Sequence, residues 1–200
     1  MRASDLRRRI VLVRRLTERD ELGQPLVAWT DYLVGVTTGT AKTITSLTRG
    51  ESTTVFHSAA HGFSAGQFVT ISSIAGIDGL PVTFGIIAAD TNSFTVNLDL
   101  GDGLAIIGSS IATPVSGIPC SIEPLTAREM EIAGAMQTTS THKITLRYHP
   151  LLAEPSALSS LRAICLNGSA IRIFELTQGA NVDSRNQWVT ATASETQVDA

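Results

Sequence analysis

The chain is poor in cysteine, aromatics and charge, and each shortage excludes something. Two cysteines in 200 residues, with no CxxC pair and no Cys/His cluster, leave no disulfide framework and no zinc-ribbon spacing. Cys120 and Cys165 sit in the apolar strings IPCSI and AICLN, where buried free thiols are expected and a disulfide is the minority reading. Charged residues make up 16% of the chain against 43% hydrophobic, a globular profile that excludes wholesale disorder. The net charge of −3 excludes a polyanion binder in the sense of the whole molecule. Near the start no apolar run exceeds four residues, too short for a signal-peptide core or a membrane span, so a soluble protein made in a cytoplasm is expected. Chemistry-bearing motifs are missing too. There is no HExxH, no GxxxxGK[ST] or GxGxxG, no nucleophile elbow and no full calcium loop. No catalytic, cofactor or metal residue is therefore assigned, and an enzyme is not expected.

Basic character is present locally. Seven of the first twenty residues are arginine, and the string RRRIVLVRR holds four apolar residues between Arg7, Arg8 and Arg9 on one side and Arg14 and Arg15 on the other. Its β-branched centre predicts a strand over 8–15. The arginines are candidates for charge-assisted docking on an acidic protein surface. The competing reading is a solvated strand whose charges deter edge pairing. Direct DNA binding is less favoured, because arginines facing a DNA channel would grip phosphates too tightly for DNA to slide.

Composition changes sharply inside the chain. Residues 34–116 hold two basic and five acidic residues, rich otherwise in Thr, Ser, Gly, Ile and Val, whereas the flanks hold 13 basic and 13 acidic residues over 117 positions. The expected organisation is a discontinuous host domain, 1–34 with 117–195, an inserted domain, 35–116, and a frayed tail, 196–200. The fold class expected is mostly β: a small curled-sheet or barrel host with one short helix, plus an inserted all-β small barrel. In the host, strands are expected at 8–15, 26–33, 118–125, 141–149, 161–166, 169–177 and 187–192, with tight turns at 21–25 and Asn167-Gly168. Pro119 and Pro124 suggest that 118–125 is an edge strand. Thr126 and Glu129 have capping-box spacing for a helix over 127–136. In the insertion, strands are expected at 53–57, 67–72, 82–88, 93–98 and 105–107.

His57 and His61 have the i, i+4 spacing of a helical zinc pair, but their surroundings are Gly-rich and β-like, so a turn-stabilising histidine is the better reading. His142 and His149 flank one expected strand seven apart, so they point to opposite faces and are poor partners for each other. The string DLGDG lacks the further carboxylates of a calcium loop and reads as a hairpin turn.

Four strings together carry a family resemblance: MRASDLRRRIVLVRR, RDELGQPLVAWTDY, CSIEPLTAREMEIAGAMQTTSTHKITLRYHP and LNGSAIRIFELTQGANVDSRNQWVTATASE. With the spacing of Trp29, Glu129, His142, Arg147 and Gly168, they resemble the tailed-bacteriophage head–tail joining family of head-closure proteins, stoppers and adaptors. One departure is Ser4-Asp5, where the family more often has Gly. The string HGFSAGQFVTISSIAGIDGLPVTFGIIAADTNSFTV is similar to a small β-barrel found in ubiquitin-activating enzymes and in many phage structural proteins, which implies a fold and no activity.

The first resemblance implies a virion neck protein, made in the host cytoplasm. It would form a twelve-fold or six-fold homo-oligomeric ring between a portal or adaptor and a tail terminator or tail tube protein. Head-to-tail contacts would satisfy the exposed edges of a small barrel. Double-stranded DNA would pass through without sequence-specific binding, and no membrane is involved. Arg7, Arg8, Arg9, Arg14 and Arg15 would dock, and Arg128, Glu129, Gln137, Thr138 and Thr139 would belong to a segment facing the channel. An ordinary helix covering one barrel mouth is an equal reading of that segment. The alternative function is a virion decoration whose inserted barrel contacts a glycan or receptor. It is disfavoured because residues 35–116 hold five Phe but no Trp or Tyr.

Overall fold

A computed structural model describes residues 6–15, 29–50, 53–74, 82–96, 106–126, 128–131, 141–152, 158, 160–167, 170–181 and 187–196. About two thirds of it is antiparallel strand, arranged in two sheets. The first sheet uses β1 (Arg8–Arg15), β2 (Trp29–Leu33), β10 (Ile118–Pro124), β11 (His142–Arg147), β12 (Leu161–Asn167), β13 (Ala170–Asn181) and β14 (Trp188–Thr196). Its order is β10-β11-β14-β13-β12-β1-β2, and β10 also pairs with β1, which closes six strands into a barrel. β1 makes the closure by dividing one edge. Arg8–Ile10 pair with β10, and after an irregularity at Leu12/Val13 the strand continues along β2.

Alternation explains the four apolar residues of β1. Ile10 and Leu12 point into the barrel core with Cys120, Ile144, Leu146, Ala163, Phe174 and Val189. Val11 and Val13 point outward, yet both are buried, packed with Phe68 and Val115 of the second sheet and with Trp29, Ile164 and Leu166. Burying each such side chain contributes about 1.5–3 kcal/mol. A strand buried on both faces reads as an unbroken apolar run, and its charges are confined to its ends.

The second sheet holds β3 (Lys42–Thr43), β4 (Ser46–Arg49), β5 (Thr54–His57), β6 (Phe68–Ile74), β7 (Val82–Ala89), β8 (Ser93–Val96) and β9 (Ile106–Val115), ordered β3-β9-β6-β7-β8-β5-β4. β3 and β4 are consecutive in sequence. Between them the Ile44 N–H donates to Ser110 O and the Thr45 N–H to His57 O, so residues 42–49 link β9 to β5. The core inside is aromatic: Phe56 lies 5.4 Å from Phe94 and 6.4 Å from Phe84, and Phe63 stands edge-on to Phe94 at 5.3 Å.

The chain crosses between the sheets at two neighbouring points. Ser116 N–H donates to Val36 O, and Thr38 N–H to Pro114 O. A Cβ on Gly35 would lie 2.3 Å from the Gly117 carbonyl oxygen, so the two connections touch backbone to backbone. Gly117 has φ +67°, the left-handed conformation in which glycine meets no Cβ penalty.

Two expectations are corrected. β10 is not an edge strand, since it pairs on both sides. Its prolines fit because the ladder to β11 begins at Cys120, just past Pro119, and ends at Pro124, where a missing N–H is tolerated. Nor does the barrel leave its edges for neighbouring copies, because it closes on itself. Among the described strands of this sheet only β2 is terminal. The expected turn at 21–25 and residues 127 and 132–136 of the expected helix lie outside the described residues.

Candidate functional site

The two arginine groups stand at opposite ends of β1, about 20 Å apart at ~3.3 Å per residue, so they do not form one patch. Arg7, Arg8 and Arg9 gather at the junction of the two sheets. There they line a pocket of about 560 Å³ with Gln67, Phe68, Ser116, Leu166 and Asn167 among its other walls. An Arg8 guanidinium nitrogen donates to Asn167 Oδ1. Arg9 Nη1 reaches the Ser116 and Gly117 carbonyls at 3.4 and 3.3 Å. Arg14 and Arg15 are exposed at the far end of the strand, beside β2.

Of the expected channel segment, residues 128–131 are helical, and Gln137, Thr138 and Thr139 lie outside the described residues. The capping box forms as its spacing predicts. Thr126 N–H and Oγ1–H donate to Glu129 Oε2, both at 2.8 Å, and the Glu129 N–H donates to Thr126 Oγ1 at 3.3 Å. Lys143 Nζ donates to Glu129 Oε1 at 3.2 Å. The Thr126 bonds, backbone first, and then Lys143 lower the Glu129 pKa to about 2. Glu129 is thus committed to local structure, while Arg128 is exposed beside it.

Sequence reasoning missed the joint between the sheets. Asp31 of β2 accepts from the Thr83 N–H at 2.8 Å and from Thr83 Oγ1 at 2.7 Å, and Thr83 Oγ1 lies 2.6 Å from Thr70 Oγ1. Burial raises the Asp31 pKa, opposed by the two Thr83 bonds. The signal was a lone carboxylate in the apolar string VAWTDYL. Nearby, Arg162 lies 3.9 Å over the Trp29 ring and pairs with Glu175. A Cβ on Gly85 would come within 2.5 Å of Leu166 Cδ2, so the sheets meet closely there as well.

The histidines serve local structure. His61 is buried, with Nδ1 accepting from the Phe63 N–H at 2.9 Å and Nε2 donating to the Ser93 carbonyl at 3.0 Å, which fixes the neutral ring tautomer in a turn. His57 meets Thr48 Oγ1 at 3.1 Å. His142 meets Thr141 Oγ1 and Glu195, while His149 sits in the turn beyond β11. Both cysteines are buried free thiols whose pKa is raised by burial. Among the described residues no three His, Cys, Asp or Glu converge as metal ligands, and no helix is long and apolar enough to cross a membrane.

No curated protein matches the chain. Residues 102–196 match a family model described as phage head completion protein. The match begins just before β9 and covers β10 to β14, five of the six strands that close the first barrel. The sixth, β1, lies far upstream in sequence and joins them through the register of Arg8–Ile10 with β10 and Ile10–Arg14 with β12. Over that C-terminal portion the chain is similar to the phage head completion proteins.

Proposed function

We propose that the protein is a non-enzymatic component of the virion neck, a ring of subunits between the portal or its adaptor and the tail. It closes the DNA-filled head and presents the surface on which the tail docks. The observation that carries this reading is the family match to strands β10–β14, which β1 completes as one closed barrel. Residues 42–115 form a second unit, inserted at the adjacent crossing points near Gly35 and Gly117 and braced against the first through Asp31, Phe68 and Leu166. DNA passes the ring without sequence-specific contacts. The glycan- or receptor-binding alternative has little support. All five Phe of the inserted unit are buried, which leaves no aromatic platform for a sugar.

The arginines of β1 dock the subunit on an acidic neighbour. In Arg8→Glu with Arg9→Glu, the isolated protein keeps its circular dichroism spectrum and melting temperature but no longer assembles onto heads. Normal yields of infectious particles from that double variant would contradict the docking role.

A further inference from the structure

The pocket at the amino-terminal end of β1 is strongly positive and concave. Arg7, Arg8 and Arg9 form one wall. The facing walls come from Gln67 and Phe68 at the start of β6, from Val115 and Ser116 at the end of β9, and from Leu166 and Asn167 at the end of β12. No described lining residue is acidic, and none of the three arginines forms an ion pair among the described residues. The partners of Arg8 and Arg9 are a side-chain amide and backbone carbonyls, which orient a guanidinium without neutralising it. Three like charges held at consecutive positions repel one another, and an anionic occupant relieves that repulsion.

We infer that this pocket receives a short acidic peptide segment of the neighbouring protein, a refinement that rests on the docking role proposed above. Its lining chemistry selects a peptide over nucleic acid. Half-buried Leu166 supplies apolar surface beside the guanidinium groups and the amides of Gln67 and Asn167, over a floor of buried Phe68 and Val115. Glu and Asp side chains match that mixture, with methylenes for the apolar part and a carboxylate for a guanidinium fork. A phosphate backbone has no use for the apolar part, and a duplex presents a convex ridge where the pocket needs an inserted loop or chain end. The volume falls within the ~300–1,000 Å³ usual for ligand pockets.

The test is fluorescence anisotropy on the full-length protein, with a fluorescein-labelled peptide of Glu and Asp around one central Leu as the probe. A lysine-containing peptide of the same length and a short DNA duplex serve as competitors. The wild-type protein binds the acidic probe, more weakly as salt is raised. Asn167→Asp places a carboxylate beside Arg8 at an exposed position, and Arg7→Gln with Arg8→Gln removes two charges. Each weakens binding about tenfold, a change of ~1.4 kcal/mol, with an unchanged melting curve. Failure of the wild type to bind, equal affinity in the Asn167→Asp variant, or tighter binding of the duplex through the same arginines would each overturn the assignment. Heads that reject the Glu double variant while the probe fails to bind would retire the pocket and leave the docking role standing. Heads that accept that variant while the probe binds would retire the docking role.

Discussion

At the scale of single residues, Glu129 shows how a local signal becomes structure. Its carboxylate closes the capping box with Thr126 and ties the short helix at 128–131 to Lys143 of β11. Its pKa in the folded protein is about 2, below the ordinary 4.5, so its stabilising effect is full above the ordinary value and is lost as pH falls through about 2. Glu129→Ala is therefore expected to lose hydrogen-exchange protection in residues 128–131 at neutral pH. The difference from wild type shrinks as pH falls from 4.5 toward 2. A difference that does not change with pH would contradict the assignment of the charge to this cap. The box was legible in the sequence because both partners lie within one helical turn. Asp31 was not, because its partner Thr83 is 52 residues away and its charge gave no sign of which neighbour would satisfy it.

Strand β1 carries the argument at the scale of elements. Its sequence announced a strand, and the strand formed, but the string IVLV did not reveal that its two faces serve different cores. Ile10 and Leu12 close the first barrel, and Val11 and Val13 bind the second unit. The stretch from Lys42 to Arg49 was missed because it is Thr- and Ser-rich and largely exposed. Its pairing with β9 and then β5 is tertiary and outweighs weak local preference. β9 was read as far as residue 107 because Gly108, two serines and Pro114 punctuate the remainder, yet pairing with β6 carries it to Val115. The sequence reading expects the first barrel to stay folded when residues 35–116 are replaced by a Gly/Ser linker. The packing around Val11 and Val13 adds a condition. The shortened chain keeps its β-type circular dichroism but self-associates in sedimentation, since it exposes the outer face of β1 and β12. Adding Val11→Thr and Val13→Thr restores a monomer. A shortened chain that is monomeric with both valines in place would show that this cluster does not hold the units together.

For the whole molecule, two features set what an assembly must do. The first barrel closes its own hydrogen bonds through β1 and β10, so strand addition at an open edge is confined to β2 among the described strands of that sheet. Away from β2, any contact this barrel makes therefore comes from side chains, and the arginine groups at the two ends of β1 lie about 20 Å apart at ~3.3 Å per residue. That separation suits contact with two different neighbours better than one continuous patch. The family match covers the contiguous strands of the barrel, and the strands of the second sheet separate β1 and β2 from them in sequence. The resemblance in the flanks was readable only with residues 34–116 set aside. The pocket was unreadable, because its walls come from five segments spread across the chain.

The most direct measurement is a cryo-electron microscopy reconstruction of the neck of intact tailed particles that contain this protein. The account predicts a closed ring of copies between portal and tail, with the first barrel of each subunit in the ring wall and its β1 arginines against a neighbouring protein. Density for the protein on the capsid shell or tail tip, or a single copy outside any ring, would contradict it.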